Sequence, residues 1–217
     1  MRGTCACAAA VAAAAIAVTA TPAEASRAKC VKNEPRDSVE RTPATGQAML
    51  VDARGIRYGC AYARGTWRKL PGQEAETNAN NVLYRDHFEF ERRWVAYASY
   101  WLPTDGRKRE MRVYSFNLKN GKTRRSKGWQ EGLMHDIVLK NNGSIAWTWI
   151  YKYNDRRFAR VSKIDFTKPH WSERTVADDS RAKPADKIKT DTLELLPGGT
   201  SVGWQDVDGE RNSAPLR

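Results

Sequence analysis

The chain has 217 residues, with 37 Lys and Arg against 25 Asp and Glu, a net charge of +12 and a mean hydropathy of −0.70. That length suits one domain burying roughly 70% of the surface its unfolded chain exposes, and beyond the first 25 residues no stretch is apolar enough to cross a bilayer. A charge this basic favours anionic partners, such as wall polymers, acidic polysaccharide, nucleic acid or acidic lipid, although exported proteins also carry net charge for solubility alone.

Residues 1–25 read as a secretory signal peptide. Arg2 supplies a thin positive start, the run from Cys7 to Ala20 is almost wholly Ala, Val and Ile, and Ala23-Glu24-Ala25 fits the small-x-small cleavage rule, with cleavage after Ala25. Cys5 and Cys7 lie before and at the start of the apolar run, not after it, which argues against a lipoprotein signal. Cleavage would remove one Arg and one Glu and leave the net charge at +12. The mature chain is therefore expected to be secreted, soluble and monomeric.

Residues 26–46 are polar, contain Pro35, Pro43 and Gly46, and show no sustained apolar period, so they read as an N-terminal arm. Past the signal only Cys30 and Cys60 remain, an even pair in an exported protein and hence one expected disulfide, pinning the arm to the first strands.

The expected β domain occupies residues 47–217. Ala48-Met49-Leu50-Val51, the alternating run Ile56–Tyr62 and Thr66–Leu70 are its first candidate strands. A full unit then runs from Val82 to about Trp129, closing its third hairpin with Asn120-Gly121, a dipeptide that tolerates the positive φ of a tight turn. A second covers Leu133 to Val176, with a hairpin turn at Asn142-Gly143. The last occupies residues 191–217 and turns at Asp208-Gly209. No segment keeps a 3.6-residue apolar period over three turns, so the chain reads as all-β.

Three hairpins repeat one theme. Trp94-Val95-Ala96-Tyr97, Ser144-Ile145-Ala146-Trp147 and Ser201-Val202-Gly203-Trp204 each put an aliphatic, a small and an aromatic residue in order, at a spacing of about 50 residues. With the following Val113–Lys122 and Val161–Asp165 stretches, this pattern resembles TolB-like or WD-repeat-like β-propeller blades, as in small secreted actinobacterial proteins. The resemblance covers roughly residues 48 to 216 and implies antiparallel four-stranded units set around an axis, generally a binding scaffold. It departs from the pattern in showing only two complete units with partial ones at either end. The ring is then either small and closed, with the N-terminal strands completing the last blade, or an open stack.

Basic residues crowd near the repeat turns. Arg107, Lys108 and Arg109 fill one loop, Lys122, Arg124 and Arg125 another, with Trp129 nearby as a stacking surface, and these are the candidate binding residues. A further group, Arg156, Arg157 and Arg160, neighbours Tyr151-Lys152-Tyr153, rings able to stack on sugars or bases.

His87, His135 and His170 lack the spacing of a metal pair, so no metal or other cofactor is expected. The Gly-x-Ser-x-Gly elbow is absent and nothing marks a nucleophile. Asp206-Val207-Asp208-Gly209-Glu210 opens like a calcium loop but lacks the later ligands, and reads as a hairpin turn. The expectation is a non-catalytic binding module for an anionic envelope polymer or a protein partner, with nucleic acid a lesser alternative and a secreted hydrolase on the same scaffold the competing reading.

Overall fold

A computed structural model describes residues 22–36, 38–45, 48–53, 56–62, 64–72, 81–103, 110–130, 132–154, 156–166, 173–181 and 187–217. Its strands form four antiparallel sheets, each a meander in chain order. Sheet I contains β1 (Ser38–Thr45), β2 (Ala48–Ala53), β3 (Ile56–Ala61) and β4 (Thr66–Lys69). Sheet II contains β5 (Asn81–Glu91), β6 (Trp94–Pro103), β7 (Glu110–Asn117) and β8 (Thr123–Arg125), with β9 (Trp129–Gln130) also on β7. Sheet III contains β10 (Leu133–Leu139), β11 (Ile145–Tyr153), β12 (Arg156–Ile164) and β13 (Glu173–Asp178). Sheet IV has three strands, β14 (Ile188–Leu195), β15 (Ser201–Asp206) and β16 (Arg211–Pro215).

The β8 and β9 pieces act as one interrupted outer strand. β8 pairs with Tyr114–Phe116 and β9 with Glu110 and Met111. Between them the Ser126 hydroxyl accepts the Val113 N–H at 2.9 Å, while the Ser126 N–H donates to the Val113 carbonyl at 2.8 Å. The break therefore leaves no orphaned backbone on Val113.

The recurring hairpin motif has a packing reason. Successive strand residues point to opposite faces. Val95 and Tyr97 join the core between sheets I and II, and Ile145 and Trp147 join the core between II and III. Val202 and Trp204 do the same between III and IV. The aliphatic and aromatic residues thus always face the preceding sheet. Small residues face the following one: Ala96 shares its layer with Trp147, and Ala146 shares its layer with Trp204. Each small residue leaves the volume that the next repeat's indole fills, as close packing requires.

The structure departs from the sequence reading in one feature and decides between its two alternatives in another. The N-terminal arm is structured: α1 spans Pro22–Lys32 and β1 follows. Pro at the first helical position, three alanines and basic residues in the last turn favour a helix without any amphipathic stripe. It is fixed by the Cys30–Cys60 disulfide and by Trp67, whose indole donates to the Cys30 carbonyl at 2.9 Å. Second, the N-terminal strands form their own four-stranded sheet with β1 and do not complete sheet IV.

The outer face of sheet I is closed by Cys30, Met49, Cys60, Tyr62 and Trp67. On the far side of sheet IV the outward residues Gln205, Arg211, Ser213 and Pro215 are partly or fully exposed, so packing ends there. Among the described residues no core cluster joins sheets I and IV, and none of the sheets closes on itself. The first strands nevertheless run side by side, β1 against β5, β5 against β10 and β10 against β14.

Candidate functional site

The predicted basic cluster is only partly gathered. Gly121 has φ 78°, and the Asn117 side chain caps the β7–β8 turn by accepting the Lys119 N–H at 2.9 Å, which leaves Lys122 exposed. Arg124 and Arg125 are neighbours on β8 and so point to opposite faces. Arg124 turns towards sheet III, stacks 5.0 Å from the Phe166 ring centroid and donates to the Phe166 carbonyl at 3.3 Å. It fastens one sheet to the next. Trp129 lies on β9, with its backbone paired to Met111. Arg107, Lys108 and Arg109 lie outside the described residues, as does His170.

A different group converges. On the β11–β12 hairpin, Trp149 pairs across the strands with Arg160, Tyr151 with Phe158, and Tyr153 with Arg156. All six therefore share one face. That face is continuous with the core layer of Ile145 and Trp147, but the hairpin runs on past the core. Exposure rises along it, from 1% at Trp149 to 65% at Tyr153. The result is a cleft of about 690 Å³ lined by Tyr151, Tyr153, Asn154, Arg156, Phe158, Arg160 and Ser180.

Its floor is rigid. Tyr151 lies 5.2 Å from Trp149 and 5.7 Å from Phe158, both tilted. The Arg160 guanidinium stacks 4.6 Å over Tyr151 and 5.2 Å over Trp149. Asp178, opposite Arg160 on β13, accepts Arg160 Nε–H at 2.8 Å and an Nη2–H as well, while the Tyr151 hydroxyl donates to its other oxygen at 2.9 Å. Burial would push the Asp178 carboxyl up. Hydrogen bonds from Ser180, Arg160 and Tyr151 outweigh burial and hold it below the ordinary carboxylate range. Burial raises the Tyr151 phenol. At the turn Asn154 adopts φ 47°, a conformation that asparagine tolerates.

The residues were visible in sequence as Tyr151-Lys152-Tyr153 beside Arg156, Arg157 and Arg160, but their pairing was not. It depends on register, which places Lys152 and Arg157 opposite each other on the other face.

A second group lies on the neighbouring first strands. Ladder irregularities occur at Asp86–Glu89 in β5, Met134–Asp136 in β10 and Lys189–Glu194 in β14. They carry His87, with φ 55°, and Glu89, His135, Asp136 and Asp191. Burial, then the charge of Asp136, raises the Glu89 carboxyl. Burial also raises Asp136, with Asp191 adding to the effect. His135 is lowered by burial and then by His87. Of the three histidines in the sequence, His87 thus lies close enough to His135 to act on it electrostatically. Among the described residues no three His, Cys, Asp or Glu side chains converge as metal ligands. The Asp206–Glu210 segment is a hairpin turn, with the Asp206 N–H donating to the Glu210 carbonyl at 2.9 Å and Gly209 at φ 91°.

Among the described residues no helix is long and apolar enough to cross a membrane. No family model matches the chain, and no curated protein does. Among solved structures, the chain is similar to one described as a crystal structure of the eukaryotic initiation factor, at 11% identity and a TM-score of 0.28. That alignment covers 84% of this chain and 52% of the other, and a likeness of this degree carries no argument about fold or activity.

Proposed function

We propose that this is a secreted, non-catalytic binding module of open, β-propeller-like build that holds an anionic polymer of the cell envelope. The aromatic and arginine cleft on the β11–β12 hairpin carries the reading: a rigid ring floor, exposed Tyr153 and cationic Arg156 suit a ligand with both a flat face and negative charge. The Cys30–Cys60 disulfide supports an oxidising compartment, and the side-by-side first strands support the blade-like arrangement. Lys122 and Arg125, with Arg107, Lys108 and Arg109, add long-range attraction for the same partner. A protein partner with an acidic surface is the variant of this reading that the same charges would serve.

The test is co-sedimentation of the oxidised protein with purified bacterial cell walls across a salt series. Binding that weakens steeply as salt rises is expected, because exposed charges are screened within about 10 Å at 0.1 M salt. No binding at low salt would remove the wall-polymer reading.

One observation favours a secreted hydrolase instead. Glu89 and Asp136, both raised, lie in the same electrostatic group as His135 and His87 on adjoining first strands. Perturbed groups of this kind accompany acid–base chemistry as well as structural networks. A glycoside and ester hydrolysis screen comparing the native chain with Asp136→Asn decides it: turnover that the substitution abolishes would establish the hydrolase.

A further inference from the structure

We infer that the open end of the cleft takes an acidic pyranose, a sugar ring bearing one carboxylate, with the ring laid on Tyr153 and Phe158 and the carboxylate on Arg156. This rests on the anionic-polymer reading and specifies the chemistry of its ligand.

Charge and shape together select the class. Arg160 points into the cleft, but Asp178 neutralises it through two hydrogen bonds, and its flat face is taken by Tyr151 and Trp149. Lys152 and Arg157 lie on the opposite face of the hairpin. Among the described lining residues the cleft therefore offers one cation that is not neutralised, Arg156, which makes no ion pair with another described residue. Arg156 is the cross-strand partner of Tyr153, so a guanidinium fork and a ring face lie side by side. A uronic acid presents that same pair of features, because its carboxylate is attached to the ring carbon beside its apolar face.

The remaining lining fits sugar hydroxyls. Asn154 supplies a donor and an acceptor, and so does the exposed Tyr153 phenol, while the Ser180 hydroxyl is already bonded to Asp178. Phosphate oxygens accept only, and would leave those acceptors unused. An alditol-phosphate chain has no ring for the tyrosine, and a nucleic acid strand needs a row of cations along its backbone. The ionised Asp178, paired with Arg160 behind the cleft, also disfavours dense phosphate.

The experiment is titration calorimetry of the full-length oxidised protein with tetragalacturonate, maltotetraose, an octathymidylate strand and a glycerol-phosphate oligomer. Tetragalacturonate is expected to bind best. Tyr153→Ala and Arg156→Gln should each weaken it about tenfold, the usual scale for losing a hydrogen bond to a charged group or a stacking platform. Arg157→Gln, on the other face, should change affinity less than twofold. Arg156→Gln should also remove the preference over maltotetraose. Tyr153 is exposed, so these variants are expected to keep the parent melting temperature, which a thermal melt verifies.

Tighter binding of the thymidylate strand or the glycerol phosphate would overturn the inference, as would equal losses from Arg157→Gln and Arg156→Gln. If tetragalacturonate does not bind while the native protein co-sediments with walls, the sugar inference fails; the cleft keeps its anionic-polymer role if the Tyr153 and Arg156 variants lose that co-sedimentation, and loses it if they keep it. Loss of wall binding in the native protein would remove both.

Discussion

The indole of Trp94 lies against Gly143, so the first residue of one repeat hairpin seats the turn that opens the next. A Cβ at Gly143 would fall 2.7 Å from the ring, Gly143 has φ 93°, and its carbonyl accepts the Ser115 hydroxyl at 2.8 Å. Gly143→Ala therefore meets both a positive φ and a packed ring. It is expected to destabilise the protein by about 2–4 kcal/mol, read from urea unfolding. A loss below about 0.5 kcal/mol would show that the turn can move away from Trp94 at little cost.

The end of the chain is clamped to sheet III through a buried ion pair. Lys163 and Asp165 lie 2.9 Å apart at 8% and 7% exposure, Lys163 also donates to the Pro215 carbonyl, and Asp165 accepts the Arg217 N–H at 2.7 Å. Asp165→Ala leaves the ammonium uncompensated and should cost about 3–5 kcal/mol. Replacing both residues by apolar ones of similar volume should cost less than the single change. Double-mutant unfolding measures the difference, and a neutral Asp165→Ala would mean that water reaches Lys163.

Reducing Cys30–Cys60 frees a loop with a sequence separation of 30. The chain-entropy model assigns such a closure about 3–4 kcal/mol. Unfolding of the oxidised protein and of the Cys30→Ser, Cys60→Ser variant should differ by that amount. Protection of α1 against hydrogen exchange should fall with it, because Cys30 lies within the helix and the Trp67 bond to its carbonyl is left as the remaining tether.

The first-strand group gives opposing pH dependences. Asp136 and Glu89 are raised from ordinary values of 3.8 and 4.5, so the folded state binds their protons more tightly and stability falls as pH rises through that range. His135 is lowered from 6.5, so the unfolded chain protonates first and stability is lost as pH drops below 6.5. Asp136→Asn keeps an acceptor for the Ile137 N–H while removing the half-buried charge. It should raise the melting temperature at pH 7, with the gain shrinking towards pH 4. A variant that melts lower at pH 7 would mean that attraction to His87 outweighs burial.

The sequence carried the strands, the turns and the disulfide because these depend on local chemistry. Asn120-Gly121 and Asn142-Gly143 announce positive φ within a few residues, and two cysteines left past an expected signal have only one internal partner to choose. The aliphatic–small–aromatic order likewise reports alternation within a single strand. What the tertiary structure alone decided is which residues meet. Arg124 and Arg125 separate because a strand sends neighbours to opposite faces, and Arg124 is drawn to Phe166, which is distant in sequence. The polar arm becomes a helix and an edge strand because sheet I offers a face for Cys30 to cover and an edge for β1 to pair. The cleft forms because the register of β11 on β12 sets Tyr153 beside Arg156 and lets the hairpin outrun its neighbouring sheet. Register is a sum over all contacts along two strands, and no short stretch of sequence holds that sum.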